Sequence, residues 1–353
     1  MDNKRRELEG RIIDLLSEWE KQYLADLKNK GGSMQPEDLF SMRMDVIKHV
    51  ESVEPGALDR GTLIRIFNEL VTSTFMRVTP FQVAYLGPVG TFTHIALLEI
   101  FGEQVEALPQ KTISDVFNAV ESGKASFGVV PIENSTEGAV TYTLDEFLET
   151  DLRIVSEKFL RISYSLVSLC NDISQVKKIY SHPQPLGQCK AWLRANLPNA
   201  EVNSVSSTAM AAETTAWDKY SAAIASGMAS RLYNLNVLVS GIEDSRQNFT
   251  RFLVLGKKDN PLTGNDKTSI VCALKDRPGA LYNLLRPFAD AGINMTKIES
   301  RPDKKKMWEY NFFIDFIGHR DENIIKETLE KMKEETIFLK VLGSYQMVPQ
   351  TPA

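Results

Sequence analysis

The sequence contains few residues that could bind a metal or form a disulfide framework. Its 353 residues include three cysteines (Cys170, Cys189 and Cys272) and four histidines. No two cysteines form a Cys-x-x-Cys pair and their number is odd, so neither a disulfide framework nor a zinc site is expected. The histidines are scattered along the chain, which argues against a metal cluster of another kind.

Long apolar segments are also absent. No stretch approaches 18 apolar residues without a charge, and the charged N-terminus MDNKRRELEG lacks the apolar core of a signal peptide. The net charge is −5, whereas binding to nucleic acid or to an anionic membrane favours a basic surface. We therefore expect a cytoplasmic protein that binds neither nucleic acid nor membrane.

Residues 1–79 carry no strand signal and predict an all-α domain of three helices. The first helix runs to roughly Lys30, the second starts at Pro36, and the third follows Asp59. Apolar residues at three- and four-residue steps mark the first helix: Leu8, Ile12, Leu15, Trp19 and Tyr23. Because three helices of this size bury only a small core, we expect dimerisation through the first helix.

The rest of the chain predicts two further domains joined by a polar linker at 257–267. Residues 80–257 alternate between strands and helices, which is typical of an α/β domain. The predicted strands there are 83–86, 127–130, 179–180, 222–225 and 251–255, and the predicted helices are 95–101, 114–122, 188–196 and 209–217. Residues 268–348 predict a compact α+β domain of βαββαβ order, with a basic hairpin at 303–306.

Polar groups in the α/β segment cluster where strands end, which is where such folds bind ligands. Each cluster alone has a simpler interpretation as a turn or a helix cap. The five clusters are GPVGTFTH at 87–94, PIENSTEG at 131–138, SHPQPLGQC at 181–189, SSTAMAA at 206–212 and NFTRF at 248–252.

Together, in this order and spacing, the five motifs resemble the prephenate dehydratases, and the resemblance covers essentially the whole segment. It implies two α/β lobes with the substrate in the cleft between them, similar to the architecture of periplasmic binding proteins. It also implies a reaction that removes CO₂ and the ring hydroxyl of prephenate to give phenylpyruvate. Because the ring becomes aromatic, this chemistry requires hydrogen-bond donors and a cation but no cofactor and no metal.

The resemblance assigns roles to individual residues. Thr250 would assist departure of the hydroxyl, with Asn134, Ser181 and Gln188 as the other catalytic cleft positions. Arg251 would clamp a substrate carboxylate in a bidentate fork. Further contacts to the substrate are expected from Thr91, Glu133, Ser207 and Thr208. For His94, His182 and Cys189 we favour structural roles.

The C-terminal segment resembles an ACT domain, a small sensor attached to many enzymes of amino-acid pathways. Two motifs match those with which prephenate dehydratases bind phenylalanine: RPGAL at 277–281 and ESRP at 299–302. A glycine-bearing turn at a helix start offers backbone N–H groups to a carboxylate. The expected phenylalanine contacts are Gly279, Ala280, Leu281, Asn294, Glu299, Ser300 and Arg301. The resemblance further implies inhibition by phenylalanine and a homodimer or homotetramer.

The helical segment resembles the chorismate mutase domain of the bifunctional chorismate mutase/prephenate dehydratases, the P-proteins. Most of that family's charged positions differ here: Trp19 follows Glu18 where the family has an arginine, and the run at 35–39, QPEDL, lacks the family's Arg-Glu. Lys28 and Thr74 are the matching remnants. Since that reaction rearranges a dicarboxylate, losing several charge-assisted hydrogen bonds at about 1.5–3 kcal/mol each would leave little catalysis.

Four interpretations follow. The leading one is a phenylalanine-inhibited prephenate dehydratase with a mutase-like helical domain. The second is a fully bifunctional enzyme that also binds chorismate. The third is a non-catalytic amino-acid sensor, which the presence of Thr250, Asn134 and Gln188 disfavours. The fourth replaces prephenate by arogenate, which differs only in its side chain.

Overall fold

The computed structural model describes residues 2–29, 34–54, 56, 58–275, 277–303 and 310–348. The helical segment forms the three predicted helices: α1 Asp2–Asn29, α2 Asp38–Ser52 and α3 Arg60–Met76. The side chain of Asp59 accepts from the amide of Thr62 and so caps α3, which explains its sharp start. Among the described residues, no helix combines the length and the apolar character needed to cross a membrane.

Within the helical segment, α2 packs against the α/β segment, whereas the first half of α1 is exposed. Helix α2 contributes Leu39, Met42 and Phe40 to a core shared with the α/β segment, where the Phe40 ring meets the edges of Phe101 and Phe127. The first half of α1, in contrast, is exposed. Its apolar side chains there are about half exposed or more: Leu8, Ile12, Ile13 and Leu15.

The α/β segment forms two lobes, as predicted. Its elements are β1 Gln82–Leu86, α4 Phe92–Phe101, β2 Glu106–Gln110, α5 Ile113–Glu121, β3 Phe127–Asn134, β4 Gly138–Ala139, α6 Thr141–Glu149, β5 Arg153–Arg161, β6 Ser165–Ser168, β7 Lys178–Ser181, α7 Pro183–Gln188, α8 Lys190–Asn196, β8 Glu201–Ser204, α9 Thr208–Thr215, β9 Ser221–Ala225, α10 Gly227–Leu232, β10 Asn236–Ser240 and β11 Phe249–Gly256. Strands β2-β1-β3-β11-β5 form the sheet of lobe 1, with β4 beside β3, and β10-β6-β9-β7-β8 form that of lobe 2.

Two differences from the predicted elements affect the site. Strand β3 continues past Val130 to Asn134, and a bulge at Ile132 interrupts its pairing with β11, so that Glu133 lies opposite Arg251 and Asn134 opposite Thr250. The predicted helix at 188–196 is divided at Cys189 into α7 and α8. The bulge accommodates Pro131, which cannot donate a backbone hydrogen bond.

The C-terminal segment has the predicted βαββαβ order. Its elements are β12 Asp266–Leu274, α11 Ala280–Asp290, β13 Met295–Pro302, β14 Tyr310–Ile317, α12 Asn323–Glu335 and β15 Thr336–Gln346. The antiparallel sheet has the order β13-β14-β12-β15. One face packs on α11 and α12, and the other packs on lobe 1, where Val271 and Phe313 join the core of Ile132 and Leu253. Most of the predicted basic hairpin, residues 304–306, lies outside the described residues.

Candidate active site

A chain of side-chain hydrogen bonds centres on Asn134, the last residue of β3. Its Nδ2 atom donates to Thr250 Oγ1 at 2.8 Å and to Asn248 Oδ1 at 2.9 Å. Its Oδ1 atom accepts from the amide and hydroxyl of Thr136 and from the amide of Glu137, at 2.6–3.1 Å. The amide group of Asn134 is therefore fixed in orientation, because both of its ends are satisfied.

This arrangement leaves the Thr250 hydroxyl free to donate. Thr250 Oγ1 accepts from Asn134, and within the described part of the chain no protein acceptor is found for its own proton. The residue is 9% exposed, so the hydroxyl lies in a largely desolvated position. A hydroxyl that accepts a hydrogen bond becomes a better donor in turn, since hydrogen bonds in a chain polarise one another.

Gln188 connects the two lobes at the same place. From the end of α7 in lobe 2, its Nε2 atom donates to Thr136 Oγ1 at 2.9 Å and to Glu137 Oε1 at 3.3 Å in lobe 1. Its Oε1 atom accepts from the Tyr164 hydroxyl and from Asn248 Nδ2, both at 3.0 Å. Burial, followed by nearby acidic groups, raises the pKa of Tyr164, so this hydroxyl stays protonated and donates.

Four other predicted residues serve their own local structure. Ser181 is fully buried and its hydroxyl donates to the carbonyl of Ile224 at 2.7 Å. Ser207 caps α9, and Thr208 is the first residue of that helix. Thr91 caps α4 and donates to the carbonyl of Pro88 at 2.9 Å. None of these four is joined to Asn134 or Thr250 by a direct hydrogen bond among those seen in the described residues.

The two histidines and the cysteine of the motifs are also used structurally. His94 stacks on Tyr85 and accepts from the amide of Gly90, and burial lowers its pKa. His182 accepts from the amide of Gln184 and caps α7. Burial, assisted by Asp244 and Glu243, raises the pKa of the Cys189 thiol to about 12, which makes it a poor nucleophile.

The assignment of Arg251 as a carboxylate clamp must be corrected. Successive residues of a strand point to opposite faces of the sheet, and Arg251 points away from the cleft that Thr250 faces. Its guanidinium bonds Glu157 at 2.8 Å, Asp315 at 2.5 Å and the Tyr345 hydroxyl at 2.8 Å. Burial opposes the charge, but these carboxylates raise the pKa of Arg251 well above its usual range, so the cation is already neutralised inside the protein.

Glu133 requires the same correction for the same reason. It lies opposite Arg251 on the face away from the cleft, and its carboxylate bonds Lys297 Nζ of the C-terminal domain at 2.7 Å. A substrate in the cleft would meet Asn134 and not Glu133.

The predicted phenylalanine contacts are divided between the two faces of the C-terminal sheet. Gly279, with φ +78°, forms the turn before α11, and Ala280 and Leu281 open that helix. The register of β13 with β14 places Ser300 on the face of the two helices, whereas Glu299 and Arg301 face lobe 1. Asn294 precedes β13 and its carbonyl accepts from the amide of Ile317.

Arg301 is engaged with the catalytic domain. Its Nε and Nη2 atoms donate to the two carboxylate oxygens of Asp145 on α6, at 2.9 and 3.0 Å. Its side chain therefore contributes to the contact between domains, and this differs from the expectation that it faces a ligand beside α11.

The helical segment contains a cavity of about 570 Å³ between its helices. Trp19 stacks on Tyr23 with ring centroids 4.7 Å apart, and Asp26 and Asp45 line the same space. No lysine or arginine is found among the described residues that line it. The two mutase-like remnants lie elsewhere: Lys28 is exposed in the last turn of α1, and Thr74 is buried in α3.

Sequence reasoning missed three groups of this site. Asn248 and Thr136 lie within recognised motifs, and their polar side chains at strand ends were the available signal. Tyr164 lies in the crossing between the lobes, and no local pattern marks it, since its contact with Gln188 joins residues that are distant in the chain.

Comparison with known proteins identifies the families of the two C-terminal domains. The family model for prephenate dehydratase matches residues 83–260, and that for the ACT domain matches residues 268–334. A bifunctional chorismate mutase/prephenate dehydratase of Aquifex aeolicus is 44% identical over 342 residues, covering 96% of this chain and 94% of that protein. A shorter prephenate dehydratase of Amycolatopsis methanolica is 38% identical over 268 residues, covering 75% of this chain and 88% of that protein.

A solved structure completes the comparison. Prephenate dehydratase from Arthrobacter aurescens, crystallised in complex with L-Phe, has a TM-score of 0.71 and 35% identity, and the match covers 77% of this chain and 92% of that one. Asn134 and Thr250 lie within the residues that the prephenate dehydratase model matches, and most of the C-terminal domain lies within those that the ACT model matches. The chain therefore belongs to the prephenate dehydratase family, and it is a carbon–oxygen lyase that carries an ACT domain.

Proposed function

We propose that Thr250 donates its proton to the ring hydroxyl as it leaves prephenate. The electron pair of the breaking C–CO₂ bond completes the aromatic ring and expels the hydroxyl as water, with CO₂ as the second product. The threonine oxygen, which keeps its hydrogen bond from Asn134 Nδ2, then regains a proton from water. The proposal is carried by one observation, the hydrogen bond from Asn134 Nδ2 to Thr250 Oγ1. It leaves the threonine proton available, and general-acid assistance of this kind contributes about 10²–10⁴-fold in rate.

The carboxylates of the substrate need other partners than Arg251. The start of α9, with Ser207 and Thr208, offers backbone N–H groups and a hydroxyl from lobe 2. The start of α4, which follows Thr91, offers backbone N–H groups from lobe 1, while the Thr91 hydroxyl itself donates to Pro88. Helix N-termini favour anions because of their free N–H groups and the helix dipole. Such a site would hold the substrate between the lobes without a buried cation.

The experiment supplies the full-length protein with prephenate, arogenate and chorismate separately and measures the products. Phenylpyruvate should form from prephenate, and arogenate should give phenylalanine at a much lower kcat/KM. Thr250→Ala should lose about 10²–10³-fold in kcat, whereas Thr250→Ser should keep most of it, because the hydroxyl remains. Full activity of Thr250→Ala would remove the central assignment.

For the helical domain we propose a structural role without chorismate mutase activity. The cavity between the helices presents Trp19, Asp26 and Asp45, and carboxylates in that space would repel a dicarboxylate. The alternative, an active mutase, is favoured by the full-length similarity to bifunctional relatives. Chorismate consumption by the full chain distinguishes the two: we expect a rate at the uncatalysed background, and saturable turnover would establish the bifunctional enzyme.

We also propose that the chain is inhibited by phenylalanine and assembles as a homodimer or homotetramer. The neighbour crystallised with L-Phe and the Gly279 turn at the start of α11 support the first part. The exposed apolar face of α1 supports the second, because a second copy would bury it. Calorimetry with phenylalanine tests binding, and light scattering of Ile12→Asp against Leu232→Asp, an exposed leucine elsewhere, tests the surface of assembly.

A further inference from the structure

Strand β13 contacts two different parts of the molecule. Its register with β14 places Ile298 opposite Ile314 and Ser300 opposite Phe312, on the face of the sheet that packs on α11 and α12, although both side chains remain exposed at the edge of that face. Lys297, Glu299 and Arg301, which alternate with them, face lobe 1, because successive side chains of a strand point to opposite faces. A ligand seated beside Ser300 and the start of α11 would therefore press on a strand whose other face is bonded to the catalytic domain.

Lys297 of β13 contacts the residue that directly precedes Asn134 in the chain. Its Nζ atom bonds the carboxylate of Glu133 at 2.7 Å, and the Lys297 side chain is 12% exposed. Glu133 directly precedes Asn134, which orients the hydroxyl of Thr250. The residue that the ACT domain contacts, Glu133, is therefore the chain neighbour of Asn134, whose side-chain amide orients Thr250.

A second contact joins the C-terminal sheet to β11, the strand beside β3. Asp315 of β14 bonds Arg251, which directly follows Thr250, and Glu133 and Arg251 are themselves opposite each other across β3 and β11. The C-terminal sheet therefore contacts β3 and β11 on the face away from the cleft, at the residues next to Asn134 and Thr250.

The two contacts differ in their freedom to move. Arg251 is 5% exposed and has three partners, so its displacement would leave buried charges uncompensated. The cavity of about 360 Å³ between the domains borders both pairs, but the Glu133 side chain is 39% exposed, whereas those of Arg251 and Asp315 are 6% and 9% exposed. The bonded Lys297–Glu133 pair is therefore free to shift as a unit, while the buried cluster around Arg251 acts as a fixed support.

We propose that β13 couples the regulatory site to the cleft through Lys297, a positioning residue that acts on Asn134 by way of Glu133. The inference rests on the proposed binding of phenylalanine by this domain and names the contact that carries its effect. A shift of β13 on ligand binding pulls Glu133 with it through this ion pair, turns the Asn134 amide and removes the hydrogen bond that orients Thr250. Inhibition is then a loss of kcat, since the substrate contacts of lobe 2 are untouched.

The test separates binding of phenylalanine from its effect. Lys297→Met keeps the length of the side chain and removes the ion pair. Calorimetry on this variant should give a Kd for phenylalanine within about threefold of the unmodified protein, while inhibition of kcat at saturating phenylalanine should fall by at least about fivefold, the lower limit of ordinary couplings. Glu133→Gln removes the same pair from the other side and should behave alike, and the exchanged pair Lys297→Glu with Glu133→Lys should recover part of the inhibition.

Lys340→Met is the matched control. Lys340 is another lysine of the ACT domain that donates to lobe 1, to the carbonyls of Phe147 and Thr150, far from Asn134 along the chain. This variant should keep the full inhibition. Unchanged inhibition in Lys297→Met and Glu133→Gln, or equal loss in Lys340→Met, would overturn the coupling role. Absence of phenylalanine binding in the unmodified protein would instead sink the proposed regulation, and the coupling with it.

Discussion

The cleft between the lobes and the cavity between the N-terminal helices have opposite chemical character, although each would need to bind a dicarboxylate. The cleft gathers amide and hydroxyl groups whose donors and acceptors are matched, with Gln188 linking the lobes. The helical cavity is lined by stacked aromatic rings and by Asp26 and Asp45. Similarity along the whole chain to bifunctional relatives does not reveal this difference, because function depends on a few side chains in each cavity.

The largest effect should come from reversing one hydrogen bond in the cleft. Asn134→Asp replaces the amide donor by a carboxylate, which would accept the proton of Thr250 and so withdraw it from the substrate. We expect kcat to fall about 10²–10³-fold with little change in folding, in line with the loss of one positioned donor. Steady-state kinetics with prephenate check this, and activity within tenfold of the unmodified protein would contradict the direction assigned to the bond.

Acid should loosen the support of the cleft. Burial disfavours the Asp315 carboxylate, but Arg251 and Ser269 hold its pKa below the usual range. A depressed pKa stabilises the fold above the ordinary carboxyl pKa of about 4, and this contribution is lost as pH falls from there through the folded value.

Asp315→Asn removes that contribution. It should destabilise the protein by about 3 kcal/mol at pH 7, because Arg251 loses a buried partner, and it should flatten the dependence of stability on pH between about 5 and 3. Denaturant titrations at several pH values measure both effects. If the free energy of unfolding of the variant changed with pH as much as that of the unmodified protein, other carboxylates would dominate the acid dependence of stability.

A smaller effect should follow from breaking the link between the lobes. Gln188→Leu keeps the approximate volume but removes hydrogen bonds to Thr136 and Asn248. We expect kcat/KM for prephenate to fall about 10- to 100-fold, corresponding to roughly 1.4–2.7 kcal/mol of lost orientation. Gln184→Leu, on the same short helix, is the control. Its kcat/KM for prephenate should stay within a few-fold of that of the unmodified protein.

The smallest effect on the dehydratase should come from the helical cavity. Trp19→Ala should leave kcat for prephenate within twofold, while removal of the ring stacked on Tyr23 should lower the stability of the helical segment by about 1–2 kcal/mol. Parallel assays of activity and of helical unfolding test this. A large loss of dehydratase activity in a folded variant would show that the two cavities are coupled.

The sequence was sufficient for the features that depend on local pattern. Apolar periodicity predicts α1, and the Asp59 cap marks the start of α3. The motifs at strand ends identified Asn134, Gln188 and Thr250, which the structure joins directly or through Asn248. The βαββαβ order of the last domain was likewise readable from its pattern of strands and helices.

What the sequence did not reveal is the face on which a side chain lies. The bulge at Ile132 shifts the parity of β3 by one residue, and it turns Glu133 to the back of the sheet beside Arg251. Nothing in the motifs PIENSTEG or NFTRF indicates that shift. Arg251 is matched to Asp315 and Tyr345, which lie more than 60 residues away, and only the packing of two domains brings those groups together.

Phe40 of α2 packs on aromatic rings of lobe 1. This contact affects how such a chain can evolve and whether its catalytic segment can be produced alone. Deleting the first 79 residues would uncover Phe81, Phe101 and Phe127, which are now nearly or fully buried. A catalytic segment expressed alone would therefore expose an aromatic patch that promotes aggregation. Polar residues would be needed at these positions to keep it soluble. The same cost would act against losing the helices during evolution, whether or not they catalyse a reaction of their own.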